Sequence, residues 1–375
     1  MEKGNTTHLG TRISHSLPLT AVCVLLILAG LEGVTRCAIS SVDWFAPEEI
    51  LLPGMVELKL DALKRHDGET VVLLGDSLIL GKVLQKYRPS DWRSRTLDAL
   101  LEAKIRLAYP GRNVKVMNLG MNGALPTDIA SLGERVVAEK PSLIVMDIGL
   151  RDFSADFIPP EDQRSRPWLE EPSFEMTPTG VNQWINSRLQ RIASRVWKTY
   201  AFRDWLHQVF FDGRPSEAIK RRLEEYEHAP RQMQTDADLL LLIKARKRFR
   251  SITLNPEHPQ VKALECFLKL CQRREVPLVL FYAQEAPEKR SYLLPEKEYN
   301  ALKEDLRALV ATYEGPRRVY LPGCTSIPQK EYIDHVHVSA EGYPLLVEYL
   351  WPAISRAMDP VVSSGHDVKE NPNDP

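Results

Sequence analysis

The chain has 375 residues, 43% hydrophobic and 26% charged, with a formal net charge of −1 from 49 Lys+Arg against 50 Asp+Glu. That length serves one large α/β core plus an insertion, or two modest domains, and the even charge leaves no whole-chain basic surplus for nucleic acid. The five cysteines, Cys23, Cys37, Cys266, Cys271 and Cys324, form no CxxC and lie beside no histidine pair at zinc spacing, so neither a metal site nor a disulfide framework is predicted.

Residues 1–16 carry Lys3 and Arg12, and no charged side chain follows until Glu32. Within that gap "LPLTAVCVLLILAG" is apolar enough to partition into a bilayer, so 17–37 reads as a transmembrane anchor or a signal peptide. The positive-inside rule keeps 1–16 in the cytoplasm and sends everything after Glu32 across the membrane. In "EGVTRCA" Arg36 and Cys37 stand where a cleavage site wants small residues, which favours an uncleaved anchor over a removed signal that would leave a secreted or periplasmic protein. Arg36 is also wrong for a lipoprotein signal at Cys37. A core helix of a soluble domain rarely runs so long without a polar face.

Residues 38–69, with the Pro-interrupted "VDWFAPEEILLPGM", read as a juxtamembrane linker, and the domain proper spans 70–358. Apolar runs rich in β-branched residues recur at 71–75 "VVLLG", 113–118 "NVKVMN", 143–149 "LIVMDIG", 276–282 "VPLVLFY" and 317–323 "RRVYLPG". Runs this continuous fit strands covered on both faces, which predicts a parallel sheet. Helical patterns alternate with them at 94–109, 126–140, 259–275, 295–313 and 339–358; Cys266 and Cys271 share one and read as buried hydrophobes rather than a redox pair. The alternation predicts a doubly wound α/β fold with its ligand site beyond the carboxyl ends of the strands.

Residues 153–259 break the alternation and are predicted to be a helical insertion. Within it Ile185, Leu189, Ile192 and Val196 form one stripe, while Arg188, Arg191, Arg195, Lys198 and Arg203 occur with no acid among them and Trp184, Trp197 and Trp205 lie close by. Such a helix suits an anionic membrane face or a lid over the site; packed on the domain, it would leave the cations solvated. Residues 359–375 read as a disordered tail.

The chemistry-bearing residues sit at strand ends. Ser77 of "GDSL" follows the first strand where a helix begins, an exposed position near helix-start amides that suits a nucleophile and equally suits a helix cap. At the other end of the chain "YIDHVHVSAEGY" carries Asp334 and His337 three apart, and a serine needs an imidazole base oriented by a carboxylate. His335 is the other histidine there; the D-x-x-H spacing selects His337.

With "LLGDSL", "NLGMNGALPTD" and "DHVHVSAEGY" in that order, the chain resembles the GDSL or SGNH hydrolase family from about Thr70 to Met358, apart from the insertion. The resemblance implies a three-layer α/β/α sandwich of flavodoxin-like type with a five-stranded parallel sheet, and no metal or organic cofactor. Carried over, Ser77 attacks an ester carbonyl, His337 is the general base and Asp334 orients it. The oxyanion hole would use the Ser77 amide, a second-block glycine (Gly123, with Gly120 as the alternative) and the third-block asparagine. That third block departs from G-x-N-D: it reads "GLRD", Gly149 to Asp152, with Arg151 in place of asparagine. A guanidinium can donate to an oxyanion, bind an anionic group of the substrate, or pair with Asp152 and leave the hole incomplete.

Three functions follow. The first is a membrane-anchored serine esterase or acyltransferase acting outside the cytoplasm on O-acylated glycans, since residues 282–310 are weakly similar to membrane-associated SGNH-like proteins that handle acylated or alanylated surface polymers. The second is a lipid-directed hydrolase, a lysophospholipase or thioesterase with the basic aromatic helix as its lid. The third is a non-catalytic SGNH-like protein that binds an acyl or anionic ligand, as Arg151 would allow.

Overall fold

The computed structural model describes residues 16–48, 50, 53–88, 90–157, 192, 197–202 and 242–359. Five strands, β1 (Glu69–Gly75), β2 (Val114–Gly120), β3 (Leu143–Ile148), β4 (Leu278–Tyr282) and β5 (Arg318–Leu321), form one parallel sheet in the order β2-β1-β3-β4-β5. Register is continuous across it, with Val71 opposite Leu143 and Gly75 opposite Gly120.

The helices are α1 (Ser16–Ser40), α2 (Pro53–Arg65), α3 (Ser77–Leu80), α4 (Leu84–Tyr87), α5 (Leu97–Ala108), α6 (Pro126–Ala138), α7 (Lys198–Ala201), α8 (Pro259–Arg273), α9 (Pro287–Leu293), α10 (Glu296–Ala311) and α11 (Gly342–Met358), with a further helical run over 242–249.

The near-continuous hydrophobicity of the strands has its cause in two cores. Val72 and Leu74 point into one, with Met117, Ile144 and Leu280, under α2, α6, α8 and α10. Val71 and Leu73 point into the other, with Val116, Val145 and Val279, under α5 and α11. Side chains alternate across a strand, so a sheet covered on both faces needs an apolar residue at every position, and each such burial contributes roughly 1.5–3 kcal/mol. This is the expected α/β/α sandwich. Strand order reverses between β1 and β3, and the carboxyl ends flanking that reversal form the crevice in which such folds bind ligands.

Residues 38–69 are not the expected linker. Trp44, Ile50, Met55, Val56, Leu60 and Leu63 are buried in the first core, and α2 forms part of the layer that covers the sheet. The wholly buried Lys59 ties the segment down, its ammonium donating to the carbonyls of Trp44 (3.2 Å), Ala46 (2.8 Å) and Asn118 (2.9 Å). Burial pushes the Lys59 pKa down to about 8.

Helix α1 has two parts. Leu25, Leu26 and Ile27 stand 62–67% exposed, and Ala21–Ser40 has a mean hydropathy of 2.0, long and apolar enough to cross a membrane. Its last turns instead pack on the domain: Thr35 and Ile39 are buried, and the Glu32 carboxylate accepts the backbone amides of Lys198 (3.1 Å) and Thr199 (2.9 Å) at the start of α7.

The 153–259 insertion leaves and returns at one place. Ser154 bridges Ile252 antiparallel, Ala155 donates to the Ser251 carbonyl (3.0 Å) and Thr253 donates to that of Phe153 (3.0 Å). The basic aromatic helix expected within it lies outside the described residues, apart from the exposed Ile192 and Trp197 and the half-buried Lys198. The tail from 360 onward also lies outside them. All five cysteines are free; Cys271 is buried, with its thiol pushed up to about 12, while Cys266 is only half-buried because five residues along a helix turn it to another side.

Candidate active site

Strand β1 ends at Gly75 and the chain turns at once into α3, so Ser77 is set on the first helical residue. Asp76 is the N-cap: its Oδ1 accepts the Leu78 amide at 2.7 Å, and its own amide donates to Asp147 Oδ1 at the end of β3 (3.1 Å). The turn is braced from two further elements. Tyr343 on α11, fully buried, donates its hydroxyl to the Leu78 carbonyl (2.7 Å), and Asn118 on β2 donates to that of Ile79 (2.8 Å).

The loop after β5 brings the other two groups across. Asp334 Oδ1 accepts the amides of Val336 and His337, both at 2.8 Å, which folds the loop tightly and aims the His337 ring. His337 Nδ1 lies 2.6 Å from Asp334 Oδ2, and His337 Nε2 lies 2.8 Å from Ser77 Oγ. Burial alone would raise the Asp334 pKa, but the hydrogen bond and charge of His337 and the two amides hold the carboxyl well below the usual carboxylate range. His335 serves the loop through its backbone, where its carbonyl accepts the Ala286 amide (2.9 Å) and ties this loop to the one after β4.

The two second-block glycines occupy different surroundings. Gly120 is buried, and a Cβ there would run into the backbone of Leu80, so close helix-to-strand packing is what excludes a side chain. Gly123 lies exposed in the turn after β2 with φ +64° and open space around it, where a left-handed backbone favours glycine.

Arg151 sits in a short 3-10 turn, Leu150–Phe153, directly after β3. Its guanidinium Nη2 pairs with Asp76 Oδ2, and its Nε lies 3.6 Å from Asp152 Oδ1. Asp152 in turn accepts the Gly149 amide (2.9 Å). Four buried carboxyl groups surround this single guanidinium. Burial, reinforced by the Asp76 charge, raises Asp147 well above its ordinary value; burial pushes Asp152 up to about 7 and also raises Glu285. Asp76 alone is lowered: the nearby Arg151 charge and the Leu78 amide outweigh its burial. Asp76 is therefore the one of the four whose surroundings, Arg151 first among them, favour the charged form over the neutral one. Glu285 accepts the hydroxyls of both Tyr282 and Tyr299, which fixes the end of β4 against α10.

Asp147, Asn118 and Tyr343 are supports that motif reading passed over. Asp147 had a signal, being an acid inside the otherwise apolar "LIVMDIG" of a doubly covered strand. Tyr343 had none, because a buried tyrosine in a helix reads as core.

No family model and no curated protein matches the chain. Among solved structures it is similar to the crystal structure of TesA, at 15% identity and a TM-score of 0.35 over 77% of this chain and 99% of that one. It is also similar to AlinE4, an SGNH-hydrolase family esterase, at 17% identity and 0.32 over 78% and 98%. A third likeness is to a catalytic mutant of Axe2, an acetylxylan esterase from Geobacillus stearothermophilus, at 13% and 0.37 over 78% and 96%.

Proposed function

We propose that the chain is a serine ester hydrolase or acyltransferase of the SGNH type, with Ser77 as nucleophile, His337 as general base and Asp334 as the carboxylate that orients it. The observation that carries the reading is the unbroken relay from Ser77 Oγ through both ring nitrogens of His337 to Asp334. As Ser77 Oγ attacks the ester carbonyl, its proton passes to His337 Nε2, and the imidazolium that forms is balanced by the ionised Asp334. The same nitrogen then returns the proton to the leaving alkoxide, giving acyl-Ser77. Water, deprotonated by His337, or an acceptor hydroxyl then releases the acyl group.

The tetrahedral oxyanion is assigned to the backbone amides of Ser77 and Gly123, with Arg151 as third donor in place of an asparagine. Asp76 and Asp152 hold that guanidinium still, so it needs little reorganisation when charge develops nearby. The same pairing gives Arg151 a partner within the protein, which weakens the reading of it as the anchor of an anionic ligand but equally suits an incomplete hole, so the rate of Arg151→Ala decides its role.

We assign the protein to the membrane as a single-pass chain with the domain on the far side, anchored through α1. The support is the engagement of Glu32, Thr35 and Ile39 with the domain, which makes the end of α1 part of the fold. A domain held there fits esters of O-acylated surface glycans. The lipid-directed alternative relied on the basic aromatic helix, most of which lies outside the described residues.

The test is labelling with a fluorophosphonate probe beside Ser77→Ala and His337→Ala, followed by acyl esters of increasing chain length. Labelling lost in both variants and a preference for acetyl esters are expected. A folded wild type that does not label would overturn the catalytic reading; activity rising with chain length and with micelles would move the substrate to lipid.

A further inference from the structure

Where α1 enters the domain, well away from Ser77 in the sequence, there is a cavity of about 610 Å³. Ile39, Val42, Trp44 and Phe45 give it an apolar wall, and Arg36, Arg65 and Lys198 bring three cations to it from α1, α2 and α7; Asp43 is the one acid in its lining. That acid is already engaged, its Oδ1 accepting the Phe45 amide (3.0 Å). Arg36 pairs with Glu32 (2.7 Å) and is 55% exposed in its side chain, and Arg65 uses its Nε on the Asp61 carbonyl (3.1 Å). Lys198 is half-buried beside the Phe202 ring. Burial and the charge of Arg36 lower its pKa, although Asp61, Glu57 and Glu32 act in the opposite sense. In the lining itself three cations thus face one acid, while Glu32, Glu57 and Asp61 lie close outside it.

The depth of this cavity fits a membrane surface. The uncharged stretch of α1 ends at Leu31, five residues before Arg36. At 1.5 Å per residue that is a rise of about 7.5 Å, against a headgroup layer of roughly 5–7 Å on each side of the hydrocarbon. With the membrane reading of α1, on which this inference rests, the Arg36 backbone and the cavity mouth lie at the outer edge of the headgroup layer facing the domain, within reach of the phosphates for a long arginine side chain. We propose that this cavity binds an anionic phospholipid, with the phosphate among Arg36, Arg65 and Lys198 and the first methylenes of an acyl chain against the apolar wall. Free phosphate shares the charge but leaves the wall of Ile39, Val42, Trp44 and Phe45 bare, which is why the lipid is the assigned occupant.

The full chain, solubilised in detergent, is titrated with dihexanoylphosphatidylglycerol, dihexanoylphosphatidylcholine or inorganic phosphate, and bound ligand is counted by native mass spectrometry. Since each basic residue near an anionic headgroup contributes roughly fivefold in affinity, phosphatidylglycerol should bind about 25-fold tighter than phosphatidylcholine through Arg36 and Arg65, and the Arg36→Gln/Arg65→Gln variant should lose that preference. Equal binding of the two lipids, or an unchanged preference in a double variant with the wild-type melting temperature, would overturn the proposal. Phosphate binding as tightly as the lipid would overturn its lipid part. Should the double variant not fold, Arg65→Gln alone should lose about fivefold, and no loss would count against the site. Co-sedimentation with pure phosphatidylcholine vesicles separately reports insertion of α1; its failure would remove the anchor reading while the titration still decides the headgroup site.

Discussion

His337 Nε2 lies 2.8 Å from Ser77 Oγ across 260 residues of sequence, and the two are brought together by different devices. Ser77 is fixed by a strand end and a capped turn, His337 by a loop wound on Asp334. Asp334→Asn keeps an oxygen for the two amides but removes the charge that balances the imidazolium. Turnover should fall about 10⁴-fold, and the fold should lose some stability as well, because a carboxyl held below its ordinary value stabilises the folded chain at neutral pH. Steady-state kinetics with a short acyl ester, beside thermal unfolding, checks this; a variant within tenfold of wild type would remove Asp334 from the relay.

Arg151 and Asp76 form the second relationship to test. Removing the guanidinium leaves a buried carboxylate without its partner, which typically costs about 3–5 kcal/mol. Arg151→Ala should therefore both destabilise the fold and, through loss of an oxyanion donor, lower kcat by about 10²-fold. Asp76→Asn in the same chain should restore much of the stability and little of the rate. If rate and stability return together, Arg151 acts only as the counter-ion of Asp76.

Much of this arrangement was legible in the amino-acid order. All five strands and the longer helices between them announced themselves, because a sheet covered twice demands unbroken apolar runs, while the short helices Leu84–Tyr87 and Pro287–Leu293 did not; the folded chain brings Ser77, Asp334 and His337 within hydrogen-bond distance. The segment 38–69 misled: its prolines read as a linker, while the buried Lys59 that ties it to β2 looks like any surface lysine in a helix. The partner of Arg151 was illegible for a similar reason. Asp152 is its neighbour in sequence, but the adjacent carboxyl ends of β1 and β3 place Asp76 against its Nη2.

Asp98 on α5 should impose a pH dependence on stability. Its carboxyl is buried under Asn118 Nδ2 (2.7 Å), and burial pushes it up to about 6. The folded chain thus keeps a proton that the unfolded chain releases near pH 4. The stabilisation from this group is complete below about pH 4 and is lost as pH rises through 6, on the order of 3 kcal/mol in all. Urea unfolding of wild type and Asp98→Asn between pH 4 and 7.5 checks the sign. The wild type should lose stability relative to the variant over that window, and parallel curves would show that Asp98 ionises as freely in the folded state as in the unfolded one.

The end of α1 gives the last test. If the helix were a removable leader, the domain would not depend on residues 32–40. Ile39 is instead 6% exposed and Thr35 2%, with Trp44 donating its indole N–H to the Ile39 carbonyl (3.1 Å) and Thr35 Oγ1 lying 3.1 Å from Thr199 Oγ1. Losing a buried isoleucine costs about 2–5 kcal/mol, and each broken buried hydrogen bond adds about 1 kcal/mol. A chain beginning at Glu32 should unfold at the same urea concentration as the full chain in detergent, whereas one beginning at Ser41 should be less stable by about 3–5 kcal/mol. Indistinguishable midpoints for the two shortened chains would mean that α1 contributes nothing to the domain, and a cleaved signal would then fit the protein better than an anchor.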